Sequence, residues 1–255
     1  MTAIRSVLFN LLFFGWTGLA CVLLAWVPFA LPRPGVMAVV RWYLGTVAAL
    51  ERTVAGIRWE LRGAENLPAG PFIAAAKHQS AWETMKLHAL FGDPAIVHKR
   101  ELLRIPVWGR FLVKVDMIPI DRGARGRAVA SMLEGARRMA AQGRPIVIFP
   151  QGTRTAPGAW LPYKQGVAIL YEELGLPIVP VALNSGVFWP RRSFLKRPGT
   201  VVVEILPPIA PGLTRAEALA ELERRVEAAS DRLVVAAGGP ATARPTTRAE
   251  AAPVA

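Results

Sequence analysis

The sequence predicts an α/β fold, a mixed, largely parallel sheet flanked by helices, with an N-terminal apolar helical element that docks on a membrane. Three observations lead there. Short apolar runs bounded by Pro and Gly recur from Ile57 to Leu206, with helical spacing between several of them. No charged residue occurs from Ser6 to Pro32, a run of 27. The chain is also basic and apolar at once: 31 Lys and Arg stand against 18 Asp and Glu, a net charge of +13, while 53% of its 255 residues are hydrophobic.

The last pairing narrows the function classes. A nucleic-acid binder is usually basic and polar, so no nucleic-acid partner is expected. A basic chain with positive mean hydropathy suits an anionic lipid surface. The single cysteine, Cys21, rules out an intrachain disulfide, and it has no partners at metal-ligand spacing.

The uncharged run exceeds the ~20 apolar residues that cross a bilayer core. Trp16 and Trp26 are placed to sit at headgroup depth, whereas Asn10 and Pro28 interrupt a simple spanning helix. A cleaved leader is the competing reading. It is disfavoured because the apolar stretch is too long and no small-x-small cleavage site precedes a polar start. Val36–Trp59 reads as an amphipathic helix lying in the interface, with Arg41, Arg52 and Arg58 on it. Arg5 alone precedes the run, while Arg33 and these three follow it, which places the rest of the chain on the cytoplasmic face of the inner or plasma membrane.

Strands are expected at Ile57–Leu61, Pro71–Ala76, Pro94–Val97, Met117–Ile120, Pro145–Phe149, Pro177–Leu183 and Thr200–Leu206. Helices are expected at Arg127–Gln142 and Lys164–Leu174, each followed by Gly. Thr214 and Glu217 form a capping box for a last helix with Leu219, Leu222, Val226, Ala229 and Leu233 as its apolar stripe. The organisation is therefore residues 1–56 as membrane-associated helices, 57–237 as the α/β domain, and 238–255 as an Ala, Pro, Thr and Gly tail expected to be disordered.

Four segments can carry chemistry. Lys77-His78-Gln79-Ser80-Ala81-Trp82-Glu83 follows the second strand, where α/β sheets bind ligands. A carboxylate in the first helical turn can reach back to His78, fix its tautomer and leave the other nitrogen as a base. Ser80 and Glu83 also fit a capping box, so Glu83 can serve only the helix. Phe149-Pro150-Gln151-Gly152-Thr153-Arg154 follows another strand; its Gly opens the backbone to an anion, and Thr and Arg add donors. The alternative there is a plain turn with a solvated arginine. His98-Lys99-Arg100, then Ile105-Pro106-Val107-Trp108-Gly109, then Asp121-Arg122 place cations after two strands. These suit phosphate, or are a solvated charged loop. Ile178-Val179-Pro180-Val181 is by itself a buried strand.

In this order the four segments resemble the glycerophospholipid acyltransferase family, specifically the 1-acylglycerol-3-phosphate acyltransferases. That family has a His-x4-acid motif, a basic stretch ending in Pro-x-x-Gly, a Phe-Pro-Glu-Gly-Thr-Arg motif and a Val-Pro-Val strand. The resemblance runs from about Val54 to Leu206 and extends to the apolar N-terminus. It implies that His78 is the general base and Glu83 its carboxylate partner. Gln151, Gly152, Thr153 and Arg154 then meet the acceptor's phosphate, together with Lys99, Arg100 and Arg122. The reaction implied moves an acyl group from acyl-CoA or acyl carrier protein to the sn-2 hydroxyl of a lysophospholipid acceptor, lysophosphatidic acid, giving phosphatidic acid at a membrane. No resident cofactor and no metal are implied. Glu83 stands where the family more often has Asp, and Gln151 where it has Glu. The second departure leaves open a different lysolipid, such as a lyso-ornithine lipid; a non-enzymatic lipid-binding protein is the remaining alternative. His88 and His98 do not share a zinc spacing with His78 and read as packing or solvated residues. Phe188–Arg197 mixes aromatic and basic residues, as a surface on anionic lipid does, or as a solvated loop.

Overall fold

The computed structural model describes residues 1–121, 123 and 126–243. It divides into two compact units, the first made of Met1–Arg58, Thr84–Ile148 and Phe194–Gly199, the second of Trp59–Glu83, Phe149–Ser193 and Thr200 onward. The boundaries fall inside a strand and a helix, so they follow packing, whereas the sequence suggested a break near residue 56.

The first unit opens with helices α1 (Thr2–Leu23), α2 (Val27–Ala30) and α3 (Arg33–Leu50). One stripe of α1 is fastened down. Asn10 donates to the Phe194 carbonyl at 2.8 Å, the Lys196 amide donates to Ser6 Oγ at 2.9 Å, and Trp16 Nε1 donates to Thr46 Oγ1 at 2.7 Å. Asn10 is thus a buried anchor, not a break in the helix. The remaining face of α1 leaves Ile4, Leu8, Leu11, Phe14, Val22 and Leu23 exposed. By length and composition, residues Thr2–Ala30 are long and apolar enough to cross a membrane. The interfacial helix expected to Trp59 stops earlier. A π-turn at Glu51–Ala55 follows α3, and Gly56, at φ 73°, ends it. Arg33 is engaged inside the unit, 2.7 Å from Asp93 and 3.0 Å from Asp116. Arg41, Arg52 and Arg58 are exposed.

The rest of this unit is α/β: α4 (Trp82–Phe91), β3 (Ala95–Lys99), α5 (Trp108–Lys114), β4 (Ile118–Ile120), α6 (Gly126–Ala141) and β5 (Ile146–Ile148). β3 pairs in parallel with both β4 and β5, giving the order β5-β3-β4. Ala128, Met132, Ala136 and Met139, the stripe spaced for α6, are all buried.

In the second unit β1 (Ile57–Arg62), β2 (Ile73–Ala76), β6 (Ile178–Leu183) and β7 (Gly199–Ile205) lie in the order β1-β7-β6-β2. β2 runs parallel to β6 and β7 antiparallel to it, so the sheet is mixed and mostly parallel as expected. Every residue of β2 and β6 is buried. That is the signature of strands covered on both faces, and it is why they read as unbroken apolar runs. Helices α7 (Gly166–Leu174), α8 (Ser185–Phe188) and α9 (Arg215–Ala236) complete the unit. The Thr214–Glu217 capping box forms. The α9 stripe begins at Ala218, with Leu219 only half-buried. Each fully buried Leu or Val on it contributes about 1.5–3 kcal/mol. Residues 238–243 follow α9 back into the unit, with the Thr242 amide on Asp231 and the Ala243 amide on the Gly158 carbonyl.

Candidate active site

The site lies in the second unit, where β2 ends and α4 begins. Residues 77–81 cannot continue the strand because their polar groups are committed to the helix start. The Trp82 amide donates to Ser80 Oγ at 3.1 Å, and the Ser80 amide donates to Glu83 Oε1 at 2.7 Å. The capping reading of Ser80 and Glu83 is therefore correct, and so is the other: His78 Nδ1 lies 2.8 Å from the same Glu83 Oε1. One carboxylate oxygen serves the Gln79 amide, the Ser80 amide and the imidazole.

Glu83 is fully buried. A buried carboxylate is costly unless its oxygens are satisfied. Its second oxygen is satisfied by Ser185, whose hydroxyl donates to Oε2 at 2.7 Å. Since the carboxylate only accepts, Nδ1 of His78 is the nitrogen that donates to it, which selects the tautomer whose Nε2 presents a lone pair. Nε2 makes no hydrogen bond among the described residues, and the His78 side chain keeps 13% exposure. The ring stacks on Phe149 with centroids 4.0 Å apart, which fixes its plane. This is an oriented imidazole whose Nε2 is left unengaged, placed to take a proton from a hydroxyl.

The second strand-end turn is tied to the first. The Thr155 amide donates to the His78 carbonyl at 2.7 Å. Gly152 adopts φ 70°, which glycine accepts without strain. Gln151 is buried, and neither of its side-chain amide atoms has a hydrogen-bond partner among the described residues. A carboxylate at that position would be a buried charge without a partner among the described residues, a larger cost than that of the neutral amide. Gly152, Thr153 and Arg154 are half-buried.

Two further buried contacts hold this ground. Lys77, next to His78, places Nζ 2.7 and 2.8 Å from the two oxygens of Glu227 on α9, and Tyr163 donates to Glu227 at 2.9 Å. The Gly186 amide donates to Gln79 Oε1 at 3.0 Å, and a Cβ on Gly186 would sit 2.9 Å from Pro157, so only glycine allows the approach. Sequence reasoning missed Ser185, Glu227 and Gly186. The one available signal was a Glu and a Ser inside the apolar stripe of α9, at 227 and 230, where burial demands partners.

The structure thus brings together His78, Glu83, Gln151, Gly152, Thr153 and Arg154 in one unit. Lys99 and Arg100 belong to the other, at the end of β3, both exposed, with Arg100 3.5 Å from Asp121. Arg122 lies outside the described residues. His88 is half-buried in α4, and desolvation pushes its imidazole down to about 4, so it is neutral at ordinary pH. Among the described residues no three His, Cys, Asp or Glu side chains gather to hold a metal ion. The 188–197 stretch is not one solvated surface: Phe188, Trp189 and Lys196 are buried, while Phe194 and Leu195 are exposed.

Comparison with known proteins identifies the family. Residues 58–184 match a family model described as Acyltransferase. A 1-acyl-sn-glycerol-3-phosphate acyltransferase of Pseudomonas aeruginosa is 37% identical over 230 residues, covering 89% of this chain and 88% of that protein. The human 1-acyl-sn-glycerol-3-phosphate acyltransferase alpha is 34% identical over 163 residues, 62% of this chain and 58% of that one. Among solved structures, the 1-acyl-sn-glycerophosphate acyltransferase PlsC of Thermotoga maritima superposes with a TM-score of 0.70 at 22% identity, covering 89% of this chain and 97% of that one. At that identity the likeness shows the fold.

Proposed function

Because the chain belongs to the acyltransferase family, we propose that it transfers a fatty acyl group to the sn-2 hydroxyl of 1-acylglycerol-3-phosphate, giving phosphatidic acid. The donor in this reading is a thioester, acyl-CoA or acyl carrier protein. The observation that carries it is the 2.8 Å contact of His78 Nδ1 with a buried, fully hydrogen-bonded Glu83, beside the Gly152–Arg154 turn.

The chemistry follows from the free nitrogen. His78 Nε2 takes the proton of the acceptor hydroxyl as its oxygen attacks the thioester carbonyl. Glu83 stabilises the imidazolium that forms. Collapse of the tetrahedral intermediate breaks the carbon–sulfur bond. The imidazolium returns its proton to the leaving thiolate, so His78 ends neutral. No step asks for a metal or a prosthetic group.

Arg154, with the Gly152–Thr153 turn, is assigned to the acceptor phosphate, which carries close to two negative charges at neutral pH. On the sequence resemblance Lys99, Arg100 and Arg122 are assigned to the acceptor as well. Arg154→Ala is expected to raise the KM for lysophosphatidic acid by about ten- to a hundredfold, the loss of a charge-assisted contact. Arg154→Lys should recover part of it, since a point charge lacks the fork. Steady-state kinetics against phosphate-bearing and phosphate-free lysolipids checks this. Equal losses on both kinds of acceptor would make Arg154 a fold element and reassign the lysolipid. The neutral, unpaired Gln151 favours one second reading, a lysolipid with a different headgroup, and the same acceptor panel decides it.

In this reading the reaction runs on a membrane, at its cytoplasmic face; the exposed apolar face of α1 and the exposed Arg41, Arg52 and Arg58 support attachment to an anionic lipid surface. Leu11 is 68% and Phe14 65% exposed. At ~25 cal/mol per Å², each contributes on the order of tenfold in partition once buried in lipid. Leu11→Asp with Phe14→Asp is therefore expected to release most of the protein from anionic vesicles in a sedimentation assay. High salt alone should leave the unmodified protein bound; release by salt alone would mean that the basic surface does the binding.

A further inference from the structure

Two cations that the motifs do not include stand at the Gly152–Thr153 turn. Lys164 is exposed, yet its side chain lies over Gly152: a Cβ there would be 3.2 Å from Lys164 Cδ and Cε and 3.3 Å from Nζ. Its backbone is fixed from several sides. The Lys164 amide donates to the Pro150 carbonyl at 2.9 Å, Tyr163 is tied to Glu227 at 2.9 Å, and Trp160 Nε1 to Glu223 at 2.9 Å. Only the end of the side chain is left to move, and it is delivered to the turn.

Arg191 arrives from a different segment. Its Nη1 donates to the Arg154 carbonyl at 3.1 Å and lies 3.5 Å from Thr153 Oγ1. The residues before it are anchored, since the Trp189 amide donates to the Ser185 carbonyl at 2.9 Å and Gly186 is bound to Gln79. Among the described residues no carboxylate pairs with Arg154, Lys164 or Arg191. Three cations near one glycine turn repel one another unless an anion joins them. Most arginines elsewhere in the second unit, such as Arg215, Arg224 and Arg225, do have carboxylate partners.

We propose that Lys164 and Arg191 complete, with Arg154, a cationic cradle for the acceptor's phosphate monoester at the Gly152–Thr153 turn. The inference rests on the reading of the substrate given above and extends it to two residues outside the motif. Lys164 supplies a mobile point charge over the glycine, where no side chain intervenes. Arg191 supplies planar donors at Thr153 and holds the loop through the Arg154 carbonyl. The phosphates of a coenzyme A donor share this chemistry, and the experiment separates the two sources.

The test is steady-state kinetics of the full chain in vesicles, comparing the unmodified protein with Lys164→Met, Lys164→Arg, Arg191→Gln and Arg191→Lys. One arm varies lysophosphatidic acid at fixed donor. A second varies acyl-CoA, and separately acyl-pantetheine, at fixed acceptor. A third titrates glycerol 3-phosphate as a soluble inhibitor. Lys164→Met and Arg191→Gln are each expected to raise the KM for lysophosphatidic acid and weaken the inhibitor about tenfold, with kcat and the donor KM within about twofold. Lys164→Arg, which keeps the charge, should restore most of the loss. An increase confined to the acyl-CoA KM and absent for acyl-pantetheine would give the cradle to the donor and overturn the proposal. Unchanged KM values in both neutral variants would show two bystanders and overturn it as well. If the unmodified protein takes monoacylglycerol as readily as lysophosphatidic acid, the substrate reading itself fails. If it discriminates and only these variants do nothing, the failure is confined to the cradle.

Discussion

Replacing His78 with alanine is expected to lower acyl transfer by about 10²–10⁴, because a general base contributes that much when it takes a proton in the transition state. The variant should fold. The His78 side chain packs on one ring, that of Phe149, and the hydrogen bonds that shape the loop come from its own carbonyl and from its neighbours. Turnover of the purified variant, with circular dichroism as the control on folding, measures the effect. Near-normal turnover would remove His78 from the chemistry.

Glu83→Gln is expected to cost on the order of 10²–10⁴ in kcat with little change in KM. The geometry makes this a test of charge. A glutamine can keep its carbonyl where Oε1 is, accepting from Gln79, Ser80 and His78. Its amide then faces Ser185, whose hydroxyl can turn to accept. The shape survives while the negative charge opposite the imidazolium is lost. Glu83→Asp keeps the charge and shortens the reach, so either the His78 side or the Ser185 side of the contact lengthens; an intermediate loss is expected. Full activity in Glu83→Gln would leave Glu83 as a helix cap alone.

Those contacts also show what a sequence can and cannot disclose. The strands were legible within a residue or two, β2 and β6 most plainly, because these two are buried on both faces and therefore unbroken in their apolar character. The His78–Glu83 contact was legible because both partners belong to one strand-to-helix turn, five residues apart. Ser185 was not: it reaches Glu83 across 102 residues, and a serine after a strand has no local signature. Lys77 and Glu227, 150 residues apart, form an ion pair that neither neighbourhood announces. Lys164 and Arg191 were read as part of a helix start and of a membrane-facing stretch, since charge patterns do not tell which turn a side chain will overlie. The helix expected to run on to Trp59 failed for a local reason: Gly56 takes a left-handed conformation that ends it one residue before β1.

The most direct test of the whole account supplies the purified chain in phospholipid vesicles with lysophosphatidic acid and a thioester donor, acyl-CoA in one arm and acyl carrier protein in the other. Thiol release and phosphatidic acid are then followed together. One free thiol is expected for each phosphatidic acid formed with at least one donor, and neither product with His78→Ala. Lysophosphatidic acid left unchanged with both donors, or phosphatidic acid formed equally by the His78→Ala variant, would contradict it.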